Sequence, residues 1–486
     1  MSSYAPQAIE ELIRLGRLKE AATLLKRVDA RDVPRMEKVK FANLCRRTGL
    51  IALALKALRP RIFDPKSGAK LADATGEERA EYAMLLMRLG AVREAARDLT
   101  EITDYKPAPL YRAFARITTW DYRLARTDLR AYLAQELDVY QRRIGEMNLA
   151  AAAYYAGDLE EAHFAVRSVL RTAEGRLRAN ALEMHARILH ETGDVPQAEK
   201  ALTEAETLLA GSSSYDQLFL VGLRSYFTAM RTGETGAIAS FREEARARGR
   251  FESVREADAF ELRVRPDPEL FANLYFGTPY VAFRRLVAQQ TGLQPADRVH
   301  VWGTGEKILD LDPLVGLPSA LEGKLGLLLR VLASDRYRPF AAGTLFQELY
   351  PNEYFDFQTS PARVKQLVYR VRVELARDFP ELQIVNRASL FTLEISPGVR
   401  LRTALEADIS TANGDFLFQL RHHFGDTEFG ARDLESKLGL SSAQLRRRLT
   451  EALASGELER FGAGPATRYA LSLTARVVPT RFKSAA

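Results

Sequence analysis

Cysteine is nearly missing from this sequence: Cys45 is the only one. A lone cysteine permits no intramolecular disulfide, which agrees with a reducing, cytoplasmic setting. Its neighbours Leu44 and Leu50 mark it as a buried thiol rather than a reactive one. No run approaches eighteen consecutive apolar residues, so no membrane-spanning helix is expected. The N-terminal residues enter an amphipathic pattern with no basic stretch leading into an apolar one, so no secretory signal is expected either. The six histidines are scattered, and none forms a pair at metal-ligand spacing. Nucleophile elbows and glycine-rich nucleotide fingerprints are missing too, and Gly303-Thr304-Gly305-Glu306-Lys307 lacks the spacing of a phosphate loop. The chain is therefore expected to be no enzyme and to carry no metal or cofactor.

What remains is an ordinary globular composition, 47% hydrophobic and 27% charged, on a chain of 486 residues. That length exceeds what one core supports, and roughly two to four domains are expected. The net charge of +7 suits a polyanionic partner but is dilute over this length, and most of it falls before residue 250. Motifs must locate the function.

The first half repeats a hexad: glycine, then alanine five residues later. It occurs at Gly16…Ala21, Gly49…Ala54, Gly90…Ala95, Gly157…Ala162 and Gly193…Ala198. Trp120…Ala125 keeps the alanine, and Gly233…Ile238 is degenerate. Glycine serves a helix end where the backbone turns left-handed, and alanine serves a close helix crossing. These segments resemble tetratricopeptide repeats over roughly residues 8–245, although most copies lack the family's aromatic positions. The resemblance implies a helical solenoid with a surface for a protein or peptide; the plainer alternative is a scaffold or homodimerisation element with no ligand groove. The arginines there (Arg123, Arg126, Arg130, Arg142, Arg143, Arg167, Arg171, Arg176, Arg178) read as a solvated face rather than a nucleic-acid track.

From residue 251 the pattern changes. A dense apolar stretch around Phe271 to Phe276 and a helix from Tyr280 to Gln290 form a connecting segment. Two short apolar runs, Val299 to Trp302 and Ile308 to Leu311, flank Gly303-Thr304-Gly305 and read as a hairpin.

Beyond Pro318 come two helices, Ser319 to Ala333 and Phe340 to Leu349, a loop from Tyr350 to Thr359, and a third helix opening at Ser360-Pro361, with serine as N-cap. Val364, Leu367, Val368, Val371 and Leu375 share one face of that helix. Arg363, Lys365, Gln366, Tyr369, Arg370 and Arg372 occupy the rest. Arginine can pair bidentately with guanine and glutamine with adenine, so this surface suits a major groove. Two strands around Asn386-Arg387-Ala388-Ser389 follow as a basic hairpin. The stretch from about Val299 to Ile395 resembles the OmpR/PhoB-type winged helix of bacterial response regulators. That resemblance implies duplex DNA binding through the third helix, with Ser360 and Arg387 added to the contacts, and an RNA polymerase surface on the Tyr350-to-Thr359 loop. No receiver domain is visible, so phosphorelay control is not expected.

Residues 414–471 repeat the plan. Phe416, Leu417, Leu420 and Phe424 mark a first helix, Leu438-Gly439-Leu440-Ser441 a tight turn, and residues 443–454 a third helix. Its candidate DNA contacts are Ser442, Gln444, Arg446, Arg447 and Arg448, with Arg468 on a following hairpin. This stretch looks like a generic bacterial winged helix. The expected architecture is thus mostly α: a helical-repeat solenoid (1–250), a connecting segment (251–295) and two α+β winged-helix domains (296–400 and 401–486). The expected function is a bacterial transcriptional regulator that binds double-stranded DNA. The competing reading is a scaffold whose winged helices bind proteins only.

Overall fold

The computed structural model describes residues 4–15, 17–64, 69–210, 216–312 and 317–405. Between 416 and 471 it describes residues 416, 420, 424, 427–438, 442–454, 458–462, 464 and 467–471. Among these the chain is mostly helical, and its strands are confined to residues 299–471. No helix among them is long and apolar enough to cross a membrane.

Helices α1 (Pro6–Arg14) to α14 (Gly236–Ala247) form an array in which helices pack on their sequence neighbours, except that the third helix packs on the first rather than the second. The hexad explains the local geometry. Gly49, Gly90, Gly157, Gly193 and Gly233 have φ between 76° and 85°, the left-handed turn that glycine adopts without a Cβ clash. Ala21, Ala54, Ala95, Ala125, Ala162, Ala198 and Ile238 are all fully buried. Gly16 lies outside the described residues. Where tryptophan replaces glycine the backbone does not change hand: Trp120 has φ 60°. That conformation costs a bulky residue roughly 1–2 kcal/mol. Edge-on contacts from its ring to Tyr122, Tyr155 and Phe283, at centroid distances of 5.1, 5.4 and 4.7 Å, offset the strain. Aspartates then restart the helices, with Asp121, Asp158 and Asp194 accepting from the amides of Leu124, Glu161 and Gln197.

Several of the array's arginines tie one helix to the next or to the next but one. Arg126 and Arg130 both reach Glu161, at 2.7 and 2.6 Å, Arg178 reaches Glu204 at 2.6 Å, and Arg176 pairs with Asp216.

Three further helices, α15 (Phe251–Val264), α16 (Pro268–Phe276) and α17 (Val281–Thr291), lead to a small sheet. Here the expected hairpin is corrected. Strands β1 (Val299–Trp302) and β2 (Lys307–Asp310) do not pair with each other. Strand β6 (Val399–Ala404), not expected from the sequence and cut by the domain boundary drawn after residue 400, lies between them, antiparallel to β1 and parallel to β2. Gly303-Thr304-Gly305 crosses the start of β6. A Cβ at Gly305 would fall 2.2 Å from the Gly398 carbonyl carbon, and Gly398 donates to the Thr304 carbonyl at 2.8 Å. The inward residues of β6, Val399 and Leu401, are fully buried.

Within this frame sit α18 (Lys324–Ser334), α19 (Ala342–Leu349) and α20 (Ser360–Asp378), with a second sheet of order β3-β5-β4 (Phe340–Ala341, Leu390–Ile395, Leu382–Arg387). The β4–β5 hairpin turns through Ala388 and Ser389, both left-handed, at φ 51° and 66°.

The boundary drawn at residue 296 marks a change of secondary structure, and the core runs across it. One apolar cluster extends from Ile9 through Ala108 and on through residues 309–401. Helices α4 (Ile51–Ile62), α5 (Gly76–Arg88) and α6 (Val92–Thr100) carry the array side of this seam. At Gly343 the backbones approach so closely that a Cβ would lie 2.3 Å from the Leu89 carbonyl oxygen, and the Gly343 amide donates to that oxygen. Thr344 Oγ1 donates to the Gly90 carbonyl, and Tyr354 Oη to Asp98 at 2.8 Å. On the other flank, α15 holds the turn after α18. Arg255, 1% exposed, pairs with Asp335 at 2.8 and 2.9 Å and lies over the rings of Tyr280 and Tyr337.

The last part contains α21 (Ala431–Leu438), α22 (Ser442–Ala454) and a β7–β8 hairpin (Leu458–Phe461 with Arg468–Leu471). It buries a cluster of its own, including Phe416, Leu420, Phe429, Leu445 and Leu458.

Candidate nucleic-acid interface

Helix α20 buries Val364, Leu367, Val368, Val371 and Leu375, the face that periodicity selects. This fixes which residues face outward. Lys365, Gln366, Tyr369 and Arg370 are exposed, at helical spacing on one stripe with Val373. None of these four forms an ion pair or side-chain hydrogen bond among the described residues. Tyr369 is 67% exposed.

Other residues in the candidate set are engaged elsewhere. Ser360 is buried and is not the N-cap. The helix is preceded by Thr359, and Asp356 Oδ1 gathers the amides of Gln358 and Thr359 at 2.9 and 3.0 Å. Ser360 Oγ instead accepts from the Asp356 amide at 3.0 Å. Arg363 makes a two-pronged pair with Glu353 and lies 4.1 Å from the Tyr350 ring centroid. Glu353 is held below the usual carboxylate range by that hydrogen-bonded guanidinium. Arg372 donates through Nε and Nη2 to the Ile384 carbonyl, at 2.8 and 2.6 Å, and so fastens α20 to β4. Arg387, at the hairpin tip, reaches Glu394 at 3.0 Å while staying exposed.

The loop read as an RNA polymerase surface docks on the array through its middle residues. Phe355 is 1% exposed and donates its amide to Glu94 Oε1 at 2.6 Å, and Asp356 pairs with Arg59 at 2.8 Å. Residues 351–353, 358 and 359 stay exposed. Burial drives the Glu94 carboxyl up to about 7, against the opposing pull of the Phe355 amide.

In the last part, Arg446 and Arg447 on α22 are exposed and Arg448 is half-buried. Ser442 Oγ donates to Glu435 at 2.5 Å, and Arg468 pairs with Asp433 at 3.0 Å. The turn at 439–441 and the Gln444 side chain lie outside the described residues.

Sequence reasoning missed strand β6 and the seam. A signal for the seam was present: Glu94 and Asp98 interrupt the apolar face that Ala95 and Leu99 define, and Arg255 adjoins Val254 on another. Charged residues at core positions require buried partners. No group of His, Cys, Asp and Glu among the described residues could hold a metal ion. No protein-family model and no curated protein matches this chain.

Proposed function

We propose that the protein is a transcriptional regulator that binds duplex DNA through α20, with residues 299–404 as an OmpR/PhoB-like winged helix and α1–α14 as a tetratricopeptide-like array. One observation carries the reading. Most arginines in the array are tied into ion pairs, whereas Lys365, Gln366, Tyr369 and Arg370 form an exposed stripe with no partner of their own. Long polar side chains left uncommitted on a rigid helix are what a groove contact requires. The β4–β5 hairpin beside it carries Arg387 for a backbone phosphate. Residues 416–471 form a second candidate reader through Arg446 and Arg447.

Fluorescence anisotropy with random duplex DNA across a salt series tests this. Wild type should bind with an affinity that falls steeply with salt. A Lys365→Ala/Arg370→Ala variant should lose about two phosphate contacts' worth of that slope. Salt-independent or absent binding would refute the reading. The scaffold alternative has its own support, because Tyr369 and Val373 expose apolar surface on the same stripe, at 67% and 51%. A protein partner captured through that stripe would bind with little salt dependence.

A further inference from the structure

A cavity of about 620 Å³ lies in the seam between the array and the first candidate reader. Its size falls within the range of small-ligand sites. Residues of α5, α6, α15 and α17 line it from the array side, and residues of α18 and α19 from the other. Phe251, Phe276, Tyr280 and Phe340 give it aromatic surface. Five arginines, Arg88, Arg93, Arg284, Arg330 and Arg338, stand against two carboxylates, Asp335 and Glu348.

Both carboxylates are already engaged, Asp335 by Arg255 and Glu348 by Arg93. Among the described residues Arg88, Arg284 and Arg338 have no carboxylate partner. Arg284 donates only to the Thr278 carbonyl, at 2.5 Å, and its burial lowers the guanidinium to about 10. Gln347 adds a buried polar side chain to the wall: it is 6% exposed, and its Oε1 accepts from the Arg93 amide at 3.2 Å.

We propose that this cavity binds a small ring-bearing anion, either a nucleotide or an aromatic carboxylate. The guanidinium groups pair with the phosphate or carboxylate, and the aromatic wall takes the ring. Because the lining comes from both sides of the seam, the ligand also stabilises the docked arrangement by mass action. The site stands whether or not α20 reads DNA.

Calorimetric titration of the full chain tests this, using ADP, 2-naphthoate and inorganic phosphate at constant ionic strength. At least one ring-bearing anion should bind saturably at one site, about tenfold or more tighter than phosphate. Which of the two binds identifies the source of the ligand. Arg88→Gln and Arg338→Gln should each weaken that binding about tenfold, the loss expected for one charge-assisted hydrogen bond. Both residues are exposed, so their variants keep the fold. The proposal is overturned if neither ring-bearing anion binds, if phosphate binds equally well, or if Arg88→Gln leaves the affinity unchanged.

Discussion

The two candidate readers follow a similar outline of helices and a hairpin and are held in opposite ways. The first shares its core with the array, through α4 to α6 on one flank and α15 on the other. The second buries a cluster that contains none of the array's residues. The difference teaches that a recognition helix can be positioned by its own small core or by a much larger body. Helix α20 packs on α18, α19 and β4, and α19 packs in turn on α6, more than two hundred residues earlier in the chain. For α22 the local hydrophobic cluster has to suffice.

The sharpest way to break this comparison is to cut equivalent ion pairs in the two parts. Asp335→Asn leaves Arg255 buried and without its main partner, and should cost about 3–5 kcal/mol. Asp433→Asn removes the half-exposed pair with Arg468 and should cost under about 1 kcal/mol. Urea denaturation followed by circular dichroism reads both. Equal losses would mean that the first reader is no more deeply anchored than the second.

A smaller effect concerns pH. Glu94 sits in the seam at a carboxyl pKa of about 7, raised by burial, with Asp98, Arg97 and Lys70 as charged neighbours. A folded-state value above the unfolded one means that the folded protein holds the proton more tightly. The associated stability is present at low pH and is lost as pH rises from about 4.5 through 7. The size is at most about 3 kcal/mol. The stability of wild type relative to Glu94→Gln should therefore decline over that interval. A flat difference curve would place Glu94 outside the docking energetics.

The smallest expected effect is local to the hairpin of the first reader. Ala388 and Ser389 hold left-handed backbone that asparagine and glycine adopt more readily. Replacing them with Asn-Gly should stabilise by about 1 kcal/mol in the same urea denaturation. A loss of stability would show that these side chains support the seam in a way their position does not suggest.

Much of the helical part was legible in the sequence because its rules are short-range. A glycine that turns left-handed and an alanine at a crossing need only a five-residue spacing, and the buried face of α20 needs only a period of 3.6. Strand β6 was not legible. Val399 and Leu401 alternate correctly, but six residues beside Gly398 resemble a linker until β1 and β2 are present to flank them. The seam was hidden for a related reason. Phe355 lies in a loop and Gly343 has no side chain, so helix periodicity gives no sign that another surface covers either. The candidate site was half legible. The outward stripe follows from helix geometry, while the engagement of Arg363 by Glu353 and of Arg372 by the Ile384 carbonyl depends on tertiary partners.

The left-handed Trp120 has a practical consequence. The chain has only two tryptophans. Trp120 lies among Tyr122, Tyr155, Tyr280 and Phe283, where the array meets α17. Trp302 lies on β1, where its Nε1 donates to Thr403 on β6 and its ring adjoins Gly277 and Arg336. The protein therefore contains two intrinsic fluorophores at the joints between its parts. Their emission would follow the opening of those joints in the unmodified chain, without any attached label.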